Sequence, residues 1–432
     1  MRQYHELRIP GRFDPMAAVV RLAGSGLFED HVVYEREGRW WLAGDRLAEV
    51  VADADSLRAG GERPLEAVRA RLAGAGVSGW NAFGWAAFEL AYALAGRPAP
   101  AGPLLHLFIP RTEVRLSADA VLIRSVDEER LAQVRALVCA PDHGAPDEAT
   151  PVDTGHEAGR DAYQAAVAKA VADIRAGLLG KVILSRAVDV PFEVDLPATY
   201  LRGRRHNTPA RSFLLNLGGR EAAGFSPETV AEVTADGRVC TQPLAGTRAF
   251  SGGGAADDAR RQELETDPKE VFEHAASVKL ACDELDGICA PGSVAVSEFM
   301  AVKERGSVQH LGSRVGGRLA EGRSAFDAFA ALFPAITASG IPKAPAYDRI
   351  TALEDTPRDL YAGAVLMASA DGALDAALVL RAIYRSGERA WLRAGAGVVA
   401  DSTPEREYEE TCEKLGSVAP YVVRSARQKA AV

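Results

Sequence analysis

The sequence predicts an α+β fold, two large and mainly antiparallel β-sheets packed as a sandwich with helices outside. Strand-like runs follow one another in groups between helices, without the regular βαβ alternation of a doubly wound parallel sheet. Apolar residues make up 47% of the 432 residues and charged residues 25%, the balance of a folded globular chain. That length is enough for one large core or for two or three ordinary domains.

The elements are predicted in chain order. From Arg2 to Val138, short strand patterns (His31–Tyr34, Arg39–Leu42, Leu105–Ile109, Ala120–Ile123) alternate with helical ones at Pro64–Leu72 and Glu128–Leu137. The apolar run Trp80–Ala95 reads as a buried strand or helix. Cys139–Glu157, with Pro141, Gly144, Pro146 and Pro151, is the best linker. A helix over Arg160–Ala176 is stopped by Gly177 and Gly180, and the β-branched run Lys181–Val190 follows as a strand. Further strands are predicted at Ser212–Leu217, Thr229–Thr234, Val294–Val302, Ser307–Arg318, Ala362–Ala368, Ala376–Tyr384 and Arg389–Ala396. Helices are predicted at Arg260–Glu284, Ala325–Leu332, Pro342–Glu354 and Pro404–Ala419. No internal repeat is present.

The net charge of −9 argues against nucleic acid or an anionic membrane as partner. Trp80–Ala95 is too short to span a bilayer, and Met1–Pro10 has no apolar signal core. The five cysteines lack zinc spacing and read as reduced, mostly buried thiols of a cytoplasmic protein. His156, His206 and His310 have no zinc pattern around them, and no Ser-His-Asp or Cys-His arrangement is visible.

Two acidic helix faces stand out. Glu270, Glu273, His274 and Ser277 are spaced i, i+3, i+4, i+7, as are Glu407, Glu410 and Lys414 at i, i+3, i+7. Ser402-Thr403-Pro404 reads as an N-cap followed by proline at the first helical position. Apposed, the two faces would offer hard oxygen ligands suited to Mg²⁺; apart, they are solvated charged faces. Lys181 shares a strand face with Ile183, either as a strand-end cap or as a base. Glycine turns at Leu244–Arg248, Ala338–Lys343 and Ala394–Gly397 could bring backbone amides to an anion, yet each alone is an ordinary turn. Arg381, at the end of an apolar run, is either a structural ion-pair partner or a fork for a carboxylate.

Taken in order, the segments Lys181–Arg186, Gly224–Glu228, Pro243–Arg248, Lys269–His274, Val308–His310, Ser339–Lys343 and Gly395–Gly397, followed by Glu407, Glu410 and Lys414, resemble the chorismate-utilising enzymes. Within that family, Arg204–Pro209, Glu304–Ser313, Phe333–Lys343, Arg393–Gly397 and Glu405–Leu415 look most like salicylate synthases, and Gly84–Glu89 adds a looser likeness. Gln242 departs from the pattern, since an acidic residue is usual there.

The resemblance implies one enzyme domain over 1–432, with 1–150 contributing to the same fold and the catalytic motifs in 155–425. It implies Lys181 as the base that activates water at ring C2 of chorismate and Glu228 as the acid for the C4 hydroxyl. Mg²⁺ would sit on Glu273 and Glu410, with Glu270 and Glu407 acting through water. Leu244, Gly246, Thr247 and His310 would meet the substrate. Tyr361, Arg381 and the Gly397 amide would hold its pyruvyl carboxylate, with Lys414 adding positive charge, and Gly395 would also meet the substrate. The implied product is salicylate plus pyruvate, for a siderophore or another aromatic metabolite. The alternatives are an isochorismate synthase that releases its product and a catalytically silent chorismate-binding relative. A monomer without a glutamine amidotransferase subunit is expected.

Overall fold

The computed structural model describes residues 2–141, 148–155 and 159–425. Every pairing between its strands is antiparallel, and the strands divide into two sheets that share Arg39–Ala52 and Leu105–Leu116. The first sheet runs from Gly340–Ile341 through Lys181–Val190, Arg389–Val398, Ala382–Ser386, Arg220–Ser226, Arg211–Leu217 and His31–Arg36 to the shared pair. The second leaves the pair at Asn81–Ala86 and continues through Ala364–Ser369, Leu374–Leu378, Thr229–Val233 and Arg238–Thr241 to Val308–Arg318. Leu244–Ala249 and Ala295–Arg305 flank Val308–Arg318 on its two edges. Arg39–Ala52 carries a bulge between Arg46 and Ala48, where the shared pair bends.

The two sheets face each other. Trp85 of the second sheet donates its indole N–H to Leu217 O of the first (3.2 Å), though three strands separate them along the pairing path. Period-two alternation decides which core each side chain joins. Val32, Tyr34, Phe213 and Leu215 pack with Trp85, Val365 and Ala376 between the sheets. Val33, Leu42, Leu214 and Phe225 point the other way, under the helices Pro15–Gly24, Glu128–Val138 and Leu196–His206. Each fully buried aromatic or leucine contributes roughly 1.5–3 kcal/mol of transfer free energy, so both sides of this sheet are strongly fixed. The predicted sandwich with outer helices is therefore the fold.

Some predicted elements are corrected. The helix over Arg260–Glu284 is two helices, Ala255–Thr266 and Pro268–Asp286. Pro268 has no N–H to continue the first, and the Asp267 side chain caps the second. The strand Ala376–Tyr384 is also two, Leu374–Leu378 and Ala382–Ser386, parted by a turn in which Arg381 takes φ 49°. Trp80–Ala95 holds both a strand, Asn81–Ala86, and a short helix, Leu90–Leu94. Leu244–Arg248, taken as a turn, is a strand. Among the cysteines only Cys289 is buried, while Cys139 is exposed. The linker Cys139–Glu157 and His156 lie partly or wholly outside the described residues, but Thr150 N–H donates to Val422 O (2.7 Å). Among the described residues no helix is long and apolar enough to cross a membrane.

Candidate active site

A cavity, with about 990 Å³ of atom-free space that includes its opening to solvent, lies between the first sheet's Lys181–Val190 and Arg389–Val398 strands, the helices Pro268–Asp286 and Pro404–Leu415, and the strand Leu244–Ala249. The alternation of Lys181–Val190 builds its floor: Val182 and Leu184 enter the inner core, while Lys181 and Ile183 face the cavity. Lys181 is 3% exposed, and its Nζ donates to Glu273 Oε1 at 2.5 Å. The neighbouring strand supplies glycine where side chains would collide. A Cβ on Gly397 would stand 3.2 Å from both Glu273 Oε1 and Lys181 Cε, and one on Gly395 would lie 2.8 Å from the Tyr361 hydroxyl.

Two capped helices bring in the carboxylates. Asp267 accepts from the N–H groups of Lys269 and Glu270, with Pro268 at the first turn, and Thr403-Pro404 does the same job for the second helix as predicted. Glu270, Glu273 and Glu410 line the cavity. Glu407 does not; it lies behind the lining, 1% exposed, with Lys269 Nζ at 3.7 Å. Both Glu407 carboxylate oxygens are buried without a hydrogen bond. Burial and then the charge of Glu410 push its carboxyl well up from the ordinary range. Burial also raises Glu410, but the charge and hydrogen bond of Lys414 (2.8 Å) outweigh it, and the net shift is down. Burial raises Glu270 against the pull of its Arg248 partner (2.9 Å).

Glu228, 2% exposed, sits on a turn beside Thr229–Val233. Its Oε2 accepts from the Leu244 N–H (2.7 Å) and its Oε1 from the Thr337 hydroxyl. Burial raises its carboxyl to about 7 despite those bonds and the charges of Arg381 and Lys181. His310 is buried among Arg381, Lys414 and Arg305, and burial first, then Arg381, hold it well below its usual value. The ring is therefore neutral. Arg381 can only donate, so Nε2 accepts from it and the proton lies on Nδ1, toward Thr247 Oγ1 (3.0 Å) and Gly246 O (3.2 Å). Gly246 is the extra residue of a bulge between Ala245 and Thr247, with φ +81°, a conformation natural to glycine. Burial, with Arg305 beside it, lowers the Arg381 guanidinium to about 10. Lys414 Nζ donates to Gly395 O (2.9 Å).

Of the residues singled out in the sequence, Lys181, Glu228, Leu244, Gly246, Thr247, His310, Tyr361, Arg381, Gly395, Gly397, Lys414, Glu270, Glu273 and Glu410 share this cavity. Glu407, and His274 and Ser277 of the first acidic face, do not line it. Thr337, Lys269 and Arg393 also line it. Sequence reasoning gave them no role, although each lay in or beside a segment already marked.

The donors fit a hard divalent cation: four carboxylates from two helices, one with two oxygens unanswered by hydrogen bonds. Among the described residues, no three acidic, histidine or cysteine side chains yet stand close enough to hold an ion together. Each carboxylate is drawn to its own cation, Glu273 to Lys181, Glu410 to Lys414, Glu270 to Arg248.

This sandwich, with acid, lysine and paired carboxylates around one cavity, defines a class. The family model described as chorismate binding enzyme matches residues 30–420, and the chain belongs to that family. Within it, the chain is 46% identical over 440 residues to a salicylate synthase of Mycolicibacterium paratuberculosis, covering 97% of this chain and 96% of that one. An anthranilate synthase component 1 of Halobacterium salinarum is 41% identical over 63% of this chain and 52% of its own length. Among solved structures, the menaquinone-specific isochorismate synthase of Escherichia coli superposes with a TM-score of 0.74 at 21% identity, covering 98% of this chain and 95% of that one. Anthranilate synthase component I of Streptococcus pneumoniae gives 0.72 at 25% identity, covering 97% and 92%.

Proposed function

We propose that the chain is a Mg²⁺-dependent salicylate synthase. Water adds at C2 of chorismate as the C4 hydroxyl departs, giving isochorismate. Transfer of the C2 hydrogen to the enolpyruvyl methylene then breaks the C3–O bond and yields salicylate and pyruvate. The observation that carries this is the joint presence of Lys181 and Glu228 in one cavity, with the Glu228 carboxyl raised by burial. The end-to-end likeness to a salicylate synthase supports it.

Lys181 is the base that takes a proton from the attacking water. The Glu273 carboxylate, accepting from Nζ, fixes where that amine points. Glu228, its carboxyl raised to about 7, carries a proton to give to the leaving C4 hydroxyl. Leu244 N–H and Thr337 hold the carboxyl in place. Arg381, the Tyr361 hydroxyl and the Gly397 amide hold the pyruvyl carboxylate, with Lys414 adding positive charge. Thr247 and Leu244 line the ring, and the neutral His310 ring aims Arg381. Bound by Glu273 and Glu410, with Glu270 and Glu407 acting through water, Mg²⁺ would neutralise the ring carboxylate. The pyruvate-releasing step asks mainly for the reacting atoms to be held in register. The reading includes a cytoplasmic monomer acting without an amidotransferase subunit, and the whole chain as one unit.

The test is incubation with chorismate and Mg²⁺, followed by product identification. Salicylate and pyruvate in equal amounts are expected. Isochorismate accumulating without pyruvate would replace this reading with an isochorismate synthase, and no turnover at all would leave a silent binding relative.

A further inference from the structure

Behind the cavity wall, reaching the lining only at Arg393, lies a buried cluster of charged side chains. Glu354 is 3% exposed at its side chain and sits between Arg358 (2.5 Å) and Arg393 (2.7 Å). Its Oε1 also accepts from the Ser185 N–H (2.8 Å) and hydroxyl (3.0 Å). Burial alone would raise this carboxyl, but Arg358 and then Arg393 outweigh it and hold it ionised.

The destinations of the Arg358 guanidinium carry the inference. Nε and Nη2 grip Glu354, a second Nη2 bond goes to Ile183 O (2.6 Å), and Nη1 donates to Ala338 O (2.7 Å). Ile183 is two residues along the strand from Lys181. Ala338 follows Thr337, whose hydroxyl holds Glu228. One planar group therefore spans the backbone that carries the lysine and the backbone that holds the acid. It also lies over the Tyr361 ring, 5.7 Å from its centroid, with Arg393 at 5.5 Å. The residues around it are fixed from the N-terminal part: Glu89 accepts from the N–H groups of Arg358 (2.7 Å) and Asp359 (3.1 Å). Asp359 and Ala362, which both follow Arg358 in the chain, hold φ 51° and 60°, conformations that cost energy in non-glycine residues and persist where the surroundings impose them.

We infer that Arg358, oriented by Glu354, is a positioning residue that sets Lys181 and Glu228 in register across the cavity. This rests on the base and acid roles proposed above. A point charge would not serve equally well, because a lysine ammonium cannot present the rigid fork that reaches Glu354, Ile183 O and Ala338 O together.

The test is Arg358→Lys, read in two ways. The first is kcat for consumption of chorismate, expected to fall about 100-fold, the scale of an ångström-sized misplacement of catalytic groups. The second needs no turnover: the protonated-carboxyl infrared band of Glu228, assigned by its loss in Glu228→Gln, followed against pH. Thr337, Leu244 N–H, Arg381 and Lys181 all favour the ionised form. Loosening the Ala338 segment weakens the Thr337 bond, so the band should persist to higher pH in the variant. Thr337→Val should give the same shift alone and little more when combined with Arg358→Lys. An unmoved band, or shifts that simply add, would overturn the positioning role even with kcat reduced. Should Arg358→Lys not fold, Glu354→Gln frees the same guanidinium and carries the same readouts. A wild-type protein that leaves chorismate untouched while the band shifts as expected would fail the functional reading alone.

Discussion

Asp375 and the glutamates of the cavity are both buried or half-buried acids in a chain of net charge −9, yet they are answered differently. Asp375, 2% exposed, accepts four hydrogen bonds: from the Tyr34 hydroxyl (2.5 Å), Arg36 (2.9 Å) and the Nε and Nη2 of Arg211 (2.7 and 2.8 Å). Its partners come from the first sheet and it comes from the second, so the cluster ties the sandwich together. Glu270, Glu273 and Glu410 each have a single cationic partner at hydrogen-bond distance. Glu407 has a cation only at 3.7 Å and no hydrogen bond at either oxygen. An unmet acceptor in a buried setting costs stability. A saturated carboxylate belongs to the fold; an under-satisfied one belongs to what the fold binds.

Substitution should separate the two kinds. Glu273→Gln or Glu410→Gln should cut Mg²⁺-dependent consumption of chorismate by about a thousandfold, the scale of several kcal/mol of lost charge stabilisation. Both should unfold near the wild-type midpoint in denaturant. A variant that keeps its turnover would remove that glutamate from the site. Asp375→Asn should do the reverse. It leaves the buried Arg211 and the part-exposed Arg36 with half their partner, and breaking a buried pair such as Asp375–Arg211 costs about 3–5 kcal/mol. Equilibrium unfolding should show that loss while turnover per folded molecule is retained. An unchanged unfolding midpoint would end the contrast between the two regions.

Glu407 gives a finer test, because it is buried like Asp375 yet unanswered like the site. Glu407→Gln should weaken Mg²⁺ by about 10- to 100-fold, the usual cost of losing an outer partner, as read by calorimetric titration. The metal-free variant should be no less stable than wild type. The sign follows from the raised carboxyl. A folded-state value above the unfolded one adds stability at low pH that is lost as pH rises through the folded value. The Glu407 contribution should therefore be lost between pH 4 and pH 8, so metal-free wild type should lose stability relative to metal-free Glu407→Gln over that range. A variant that falls more steeply would mean that the ionised Glu407 is well solvated.

The same contrast explains what was legible in the sequence. The sandwich could be read because alternation and grouped strands are local signals, as Val32, Val33 and Tyr34 show by alternating between two cores. The candidate cavity could be traced because the residues proposed for it stand in short ordered segments, and all of those but Glu407 line it. What escaped was set by tertiary contact. Arg381 breaks a strand that its apolar neighbours favour, because its φ of 49° turns the chain toward His310. Pro268 splits a helix whose charged face is otherwise continuous. Arg358 and Glu354 lie in no motif, and their importance comes from carbonyls 20 and 175 residues away in the chain.

The smallest expected effect is one of pH. Glu228 is the one cavity acid held by two neutral donors, the Leu244 N–H and the Thr337 hydroxyl, rather than by its own cation. Burial wins there, and its carboxyl stands at about 7. As the proposed acid for the C4 hydroxyl it must carry a proton, so kcat/KM should fall as pH rises through that value, approaching tenfold per unit above it. Thr337→Val removes a bond that favours the ionised form, so the fall should begin at higher pH, with a modest rate loss. Glu228→Gln should abolish the limb together with most of the activity. A limb unmoved in Thr337→Val would assign it to another group and would place Glu228 with Asp375, among carboxylates that the fold, not the chemistry, employs.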